Sequence, residues 1–169
     1  EIEFIEADVS LVDSLPVTDF VIHAAASTDS SRYLLHNEKE KKNIIAGTLN
    51  YCRLAEKFHK NSKIVFCSSG AVYGYQDENN AFSKEESPLG DLSKLDNVKQ
   101  SYAIAKRESE AAIQKLGDQN INVVIARCFS FIGKYIPRDQ HFAIGNFIEN
   151  GIQGKDIDVK ADRVVYRSY

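Results

Sequence analysis

The spacing of apolar and polar positions changes repeatedly along this 169-residue chain, and each change predicts an element. The opening stretch EIEFIEADV (residues 1–9) alternates apolar and acidic residues, which predicts a strand with Ile2, Phe4 and Ala7 facing inward. DFVIHAAA (19–26) is a short continuous apolar run, the pattern of a strand buried on both faces. From 37 to 60, Ile45, Thr48, Leu49, Cys52 and Ala55 fall at helical spacing. KIVFCSS (63–69) and INVVIARC (121–128) read as two further buried strands. Between them, residues 75–96 are polar and aperiodic, a loop, and 98–116 return to helix, closed by Gly117. A last helix is expected over 142–150 with Gly151 as its stop, and RVVYRSY (163–169) reads as a strand.

Buried β-branched strands alternating with helices predict an α/β chain, a Rossmann-like doubly wound parallel sheet with helices on both faces. Such sheets bind ligands outside the carboxyl ends of their strands. Small residues stand at those ends: Ala24, Ala25 and Ala26, then Ser68, Ser69 and Gly70, then the segment from Arg127 to Gly133. They let a flat ligand approach the backbone closely, and they equally suit a tight strand end.

Composition narrows the function classes. The length suffices for one domain that buries about two-thirds of its unfolded surface. The net charge is −3 and the pI about 5.8, so no field draws nucleic acid or an anionic membrane. Lys39, Lys41 and Lys42 are interleaved with Glu38 and Glu40, as on a solvated helix face. The three cysteines are too few and too scattered for a disulfide framework. The acidic start is not a signal peptide, and no apolar run approaches the roughly 18 residues of a membrane span. A reduced, cytoplasmic protein is expected.

Tyr102 and Lys106 in SYAIAK are one helical turn apart and share a face. An ammonium beside a phenol favours the phenolate, lowering a pKa that starts near 10. Such a phenol can move a proton on a sugar or alcohol hydroxyl. A hydroxyl such as that of Ser69 could hold the reacting oxygen, an arrangement suited to hydride transfer with a nicotinamide. The same spacing also suits an amphipathic helix with an exposed lysine. None of His23, His36, His59 and His141 stands at metal-ligand spacing, so no metal site is expected. His23 reads as a core imidazole, His59 as a charge at a helix C-terminus, and Cys67 as core. Asp8 is either a turn residue or an adenine contact.

The segments FIEADVSLVDSL, DFVIHAAAST, AGTLNYCRLA, IVFCSSGAVYG, EESPLG, SYAIAK, ARCFSFIGKY and YRSY follow one another in this order. Each alone is a weak signal; their order and spacing are specific. Over almost the whole chain they resemble the extended short-chain dehydrogenase/reductase family, and within it the NAD-dependent nucleotide-sugar epimerase/dehydratase group. The resemblance implies Asp8 and Val9 near an adenine, with Ala24, Ala25, Ala26, Ser68 and Phe129 against the dinucleotide. It implies Tyr102 and Lys106 at the nicotinamide and in proton transfer, and Ser69 at the substrate. Ser130 and Arg167 would meet the nucleotide sugar. The implied cofactor is NAD or NADP, the substrate partner a nucleotide sugar, and the assembly a homodimer paired through the helices at 37–60 and 98–116.

Some positions depart from the group's pattern. Ile44 stands three residues before Gly47, where an Asn is usual, with Asn43 one position earlier. Ser130 also replaces an Asn, and the loop between Ser69 and Tyr102 is longer than usual. Gly70 and Ala71 follow Ser69 where 4,6-dehydratases place the Asp-Glu pair that eliminates water. No Gly-x-x-Gly-x-x-Gly occurs, the turn that cradles a pyrophosphate after the family's first strand. The expectation is therefore an internal piece of a protein of roughly 300 residues. Residues 1–133 would form the dinucleotide-binding domain and 134–169 open the nucleotide-sugar region. The function implied is an NAD(P)-dependent epimerase, with a keto-sugar reductase or 4,6-dehydratase as alternatives. A non-catalytic dinucleotide or nucleotide-sugar binding module is the alternative of another class.

Overall fold

Three strands lie side by side in the order β1 (Phe20–His23), β2 (Lys63–Ser69) and β3 (Asn122–Cys128). The computed structural model describes residues 2–27, 30–75, 83–138 and 143–159. β1 and β2 are parallel, with Phe20 opposite Lys63 and His23 opposite Phe66. Helix α1 (Ser30–Phe58) links β1 to β2, and α2 (Asn97–Asp118) links β2 to β3, which gives the Rossmann-like alternation. The chain divides into two units, residues 1–127 and 128–169. The functional boundary expected after residue 133 lies a few residues beyond this division. In the second unit, α3 (Ala143–Ile152) is the one described helix, and Arg138 lies 3.4 Å from Glu149 on it.

The core of the first unit forms where α1 and α2 meet one face of β2. Tyr51, Cys52 and Ala55 of α1 pack with Ala112, Ile113 and Leu116 of α2 on Ile64 and Phe66. Ala103, Ala105, Ser109 and Ala112 keep the buried face of α2 small. The inward stripe of α1 runs through Ile44, Thr48, Tyr51, Cys52 and Ala55, whereas Leu49, expected inside, is 54% exposed. Along β2, buried Ile64, Phe66 and Ser68 alternate with half-buried Val65, Cys67 and Ser69. This is the period of a sheet packed on one side, not of a strand buried on both. Phe20 and Ile22, on the other face of β1, are 69% and 73% exposed. Among the described residues of this unit, both long helices lie on the same face.

The expected first strand does not form. Residues 2–8 adopt no regular structure, and Ile2 and Phe4 are 95% and 88% exposed. Alternation supplies a face, but a strand also needs a neighbour for its N–H and C=O groups, and no described strand pairs with this segment. Two expected stops are also displaced. α2 passes through Gly117 to Asp118, and Asn120 (φ 65°) makes the reversal. α3 passes through Gly151 to Ile152, with Gly154 at φ 64° beyond it. RVVYRSY lies outside the described residues. No described helix is long and apolar enough to cross a membrane.

Candidate functional site

Asp96 starts α2, its Oδ1 accepting the Lys99 N–H at 2.9 Å. The helix then presents Tyr102 and Lys106 on one face. Lys106 is only 4% exposed, so the reading of it as a solvated lysine is set aside. Its Nζ donates to the Cys67 carbonyl at 2.9 Å and lies 5.2 Å from the Phe66 ring centroid and 5.8 Å from that of Tyr102. A buried ammonium is costly without partners; a carbonyl and two ring faces offset part of that cost. Tyr102 is half-buried and meets Tyr33 edge to face, with centroids 5.4 Å apart and planes at 88°. Ser69 ends β2 and caps the 3₁₀ turn Gly70–Tyr73, its Oγ accepting the Ala71 N–H at 3.2 Å. Lys106 thus docks on β2 two residues before Ser69.

Beside this pair lies a charged network that motif reading missed. Glu110 is 8% exposed and accepts the Ser68 hydroxyl at 2.5 Å. Arg127 at the end of β3 grips Glu110 with two prongs, Nε–Oε1 at 3.0 Å and Nη2–Oε2 at 2.8 Å. Its guanidinium lies 5.0 Å from the Tyr73 ring centroid and also donates to the Glu85 carbonyl. The Glu110 carboxylate pushes the Arg127 guanidinium further up its already high range. Ser68, expected at the dinucleotide, therefore turns its hydroxyl inward to α2. The sequence signal for Glu110 was its place four residues after Lys106, on the same helix face.

At the end of β1, His23 is 5% exposed, stacked on Tyr51 at 4.4 Å, with Nε2 3.4 Å from the Thr48 hydroxyl. Burial, with Lys106 adding, holds its pKa down at about 4, so it is a core imidazole. Ala24 and Ala25 beyond it are exposed, and Ala26 packs near Tyr33 and Ile44. Asp8 makes a turn: its Oδ1 accepts the Ser10 N–H at 2.8 Å and the Ser10 hydroxyl at 2.7 Å, which lowers its pKa. Asn50 of α1 holds this turn by donating to the carbonyls of Val9 and Val12, both at 2.8 Å. Gly47 makes room for it, since a Cβ there would come 2.9 Å from Val9 Cγ1. Ile44 is core at 3% exposure, and Asn43 points to solvent.

His59, just past the C-terminal end of α1, bridges Pro16 and Tyr51. Its Nε2–H donates to the Pro16 carbonyl at 2.9 Å, and its Nδ1 lies 3.4 Å from the Tyr51 hydroxyl. Arg107 ties the loop after the serines to α2, donating to the carbonyls of Val72 (2.8 Å) and Gly90 (2.7 Å). Gly74 turns there at φ 70°, where a Cβ would lie 2.9 Å from both Arg107 and the Gly90 carbonyl. Phe129 and Ser130 belong to the second unit, Phe129 being 57% exposed. Arg167 lies outside the described residues. Among the described residues no group of three His, Cys, Asp or Glu could hold a metal ion.

The donor set suits one half of a nicotinamide dinucleotide. An ammonium and a phenol meet at the end of β2, beside the exposed Ala24 and Ala25 that follow β1. Hydroxyl-binding donors next to open small residues suit a ribose and a flat ring. A pyrophosphate calls for a Gly-rich turn, and the chain carries none.

Comparison with known proteins agrees. The chain is 26% identical over 152 residues to UDP-glucuronic acid decarboxylase 6 of Arabidopsis thaliana, covering 89% of this chain and 43% of that protein. It thus spans less than half the length of the curated relatives it matches. Among solved structures it resembles RMD from Pseudomonas aeruginosa complexed with NADPH, with a TM-score of 0.70 and 24% identity over 89% of this chain and 52% of that one. It also resembles the UDP-glucose 4-epimerase of Thermotoga maritima with UDP-glucose, with a TM-score of 0.65 and 19% identity over 85% and 45%. These two show the fold. The model of the NAD dependent epimerase/dehydratase family matches residues 5–169, and the chain belongs to that family.

Proposed function

We propose that the protein is an NAD(P)-dependent nucleotide-sugar epimerase in which Tyr102 is the acid/base. The observation that carries this is the burial of Lys106 against the end of β2, within 5.8 Å of the Tyr102 ring centroid. NAD or NADP, bound along the ends of β1 and β2, supplies the hydride acceptor and donor. Tyr102 takes the proton of the sugar hydroxyl as that carbon is oxidised and returns it after the ketone has turned its other face. Lys106 favours the phenolate and offers N–H donors to the nicotinamide ribose. Ser69 orients the reacting oxygen. Gly70 and Ala71 carry no acid that would eliminate water, which supports epimerisation over dehydration.

A second reading, decarboxylation of a nucleotide uronic acid, is favoured by the names of the three curated relatives. It shares the oxidation step and the role of Tyr102. The full-length protein is to be incubated with UDP-glucose, UDP-glucuronic acid and dTDP-4-keto sugars. A changed isomer ratio without net cofactor oxidation marks an epimerase, carbon dioxide release a decarboxylase, and net oxidation of added NAD(P)H a reductase. Tyr102→Phe is expected to lower turnover by about 10²–10⁴-fold with cofactor binding retained. Unchanged turnover would remove Tyr102 from the mechanism.

A further inference from the structure

Tyr102 is held from two elements. On its own helix, Lys106 Nζ lies over its ring, and from α1 the Tyr33 ring meets it at 88°. Tyr33 is 5% exposed and forms a small cluster with Ile44 and Ala105, packed by Ala26, Ile45 and Val98. It sits just before a break in α1 at His36 (φ −143°, ψ 39°), which separates the segment carrying Tyr33 from the length of helix packed on the sheet. Its hydroxyl is buried and has no hydrogen-bond partner among the described residues. An unpaired buried hydroxyl lowers stability, so the packing uses the ring and not the hydroxyl. Burial, with Tyr102 and Glu40 adding, pushes the Tyr33 phenol pKa up, and it stays protonated.

We propose that Tyr33 is a positioning residue: its ring, perpendicular to that of Tyr102, holds the Tyr102 phenol in the orientation proton transfer needs. The inference rests on the reading of Tyr102 as the acid/base. Displacing a proton-transfer group by about 1 Å costs on the order of 10²-fold in rate. A side chain on the second turn of a helix, half-open to the site, has rotamers that permit such a displacement.

The test compares Tyr33→Phe and Tyr33→Leu in the full-length protein, using the nucleotide sugar that the wild type turns over. Tyr33→Phe keeps the ring and is expected to retain kcat while melting at a higher temperature, because the unpaired hydroxyl is gone. Tyr33→Leu is expected to lower kcat at least about tenfold with KM little changed. A crystal structure of Tyr33→Leu, which needs no turnover, should show the Tyr102 ring reoriented or spread over rotamers. An unmoved Tyr102 ring in that structure overturns the proposal, as does an unchanged kcat in Tyr33→Leu. An equal loss of kcat in Tyr33→Phe also overturns it, by assigning the role to the hydroxyl. If Tyr102→Phe itself retains turnover, the functional reading fails, while the structure of Tyr33→Leu still decides whether Tyr33 places Tyr102.

Discussion

Acidifying the protein from pH 7 to pH 5 tests the packing around His23. The imidazole is 5% exposed, stacked on Tyr51, and close enough to Lys106 for that ammonium to oppose its protonation. The unfolded imidazole titrates at 6.5 and the folded one at about 4. As pH falls, the unfolded chain takes up the proton first. The stabilisation is therefore complete above pH 6.5, declines between 6.5 and about 4, and falls no further below that. The full span amounts to about 3 kcal/mol at ~1.36 kcal/mol per pH of separation. Integrated from pH 7 to pH 5, the loss is about 2 kcal/mol.

The assay is urea unfolding of wild type and His23→Phe at both pH values. Phenylalanine keeps a ring against Tyr51 and does not titrate. With a urea m of ~2 kcal/mol/M, the wild-type midpoint should fall by about 1 M more than that of the variant over this pH range. Taking the difference between the two proteins removes what the remaining histidines and carboxylates contribute. Equal midpoint shifts in both would show that His23 protonates freely in the folded state, and the burial argument would be wrong.

Two further changes probe the frame of the site. Glu110→Gln leaves the Arg127 guanidinium without its carboxylate, and should destabilise the protein by about 2–3 kcal/mol, less than a fully buried pair because Arg127 is partly exposed; thermal melting reads this, and an unchanged melting temperature contradicts it. Gly90→Ala puts a Cβ 2.1 Å from the Tyr75 carbonyl, a clash of about 2 kcal/mol or more that should open the loop to limited proteolysis; a cleavage rate equal to wild type would count against the tight packing.

What could be read from the sequence follows the range of the interaction involved. The bounds of β2 are read correctly from KIVFCSS because its apolar run and flanks are local properties, while its one-sided burial is not, and α2 is found within a residue or two at each end. Tyr102 and Lys106 are legible because one helical turn brings them together. Residues 2–8 mislead because alternation is local but pairing is not. Leu49, expected inside, is exposed because a slightly rotated helix face still satisfies the same apolar spacing, and Ile44 joins that face. The Glu110–Arg127 pair joins α2 to β3, and no local pattern marks it. The stops at Gly117 and Gly151 fail because each helix runs on through a glycine that its packing tolerates.

The buried charges of α2 have a common logic. Tyr102, Lys106 and Glu110 recur every fourth residue along α2, whose buried face is alanine and serine around them and gains Ile113 and Leu116 towards its C-terminal end. Each charge takes its partner from consecutive residues of β2: Lys106 the Cys67 carbonyl, Glu110 the Ser68 hydroxyl. Around Lys106 the small side chains alone fix the register of helix on strand only loosely. Two polar contacts to neighbouring residues, one through backbone and one through side chain, admit a single register. In that register Lys106, one turn after Tyr102, is docked two residues before Ser69. The ion pair with Arg127 then locks β3 to the same position. A change at Glu110 should therefore be felt at Tyr102 without touching it.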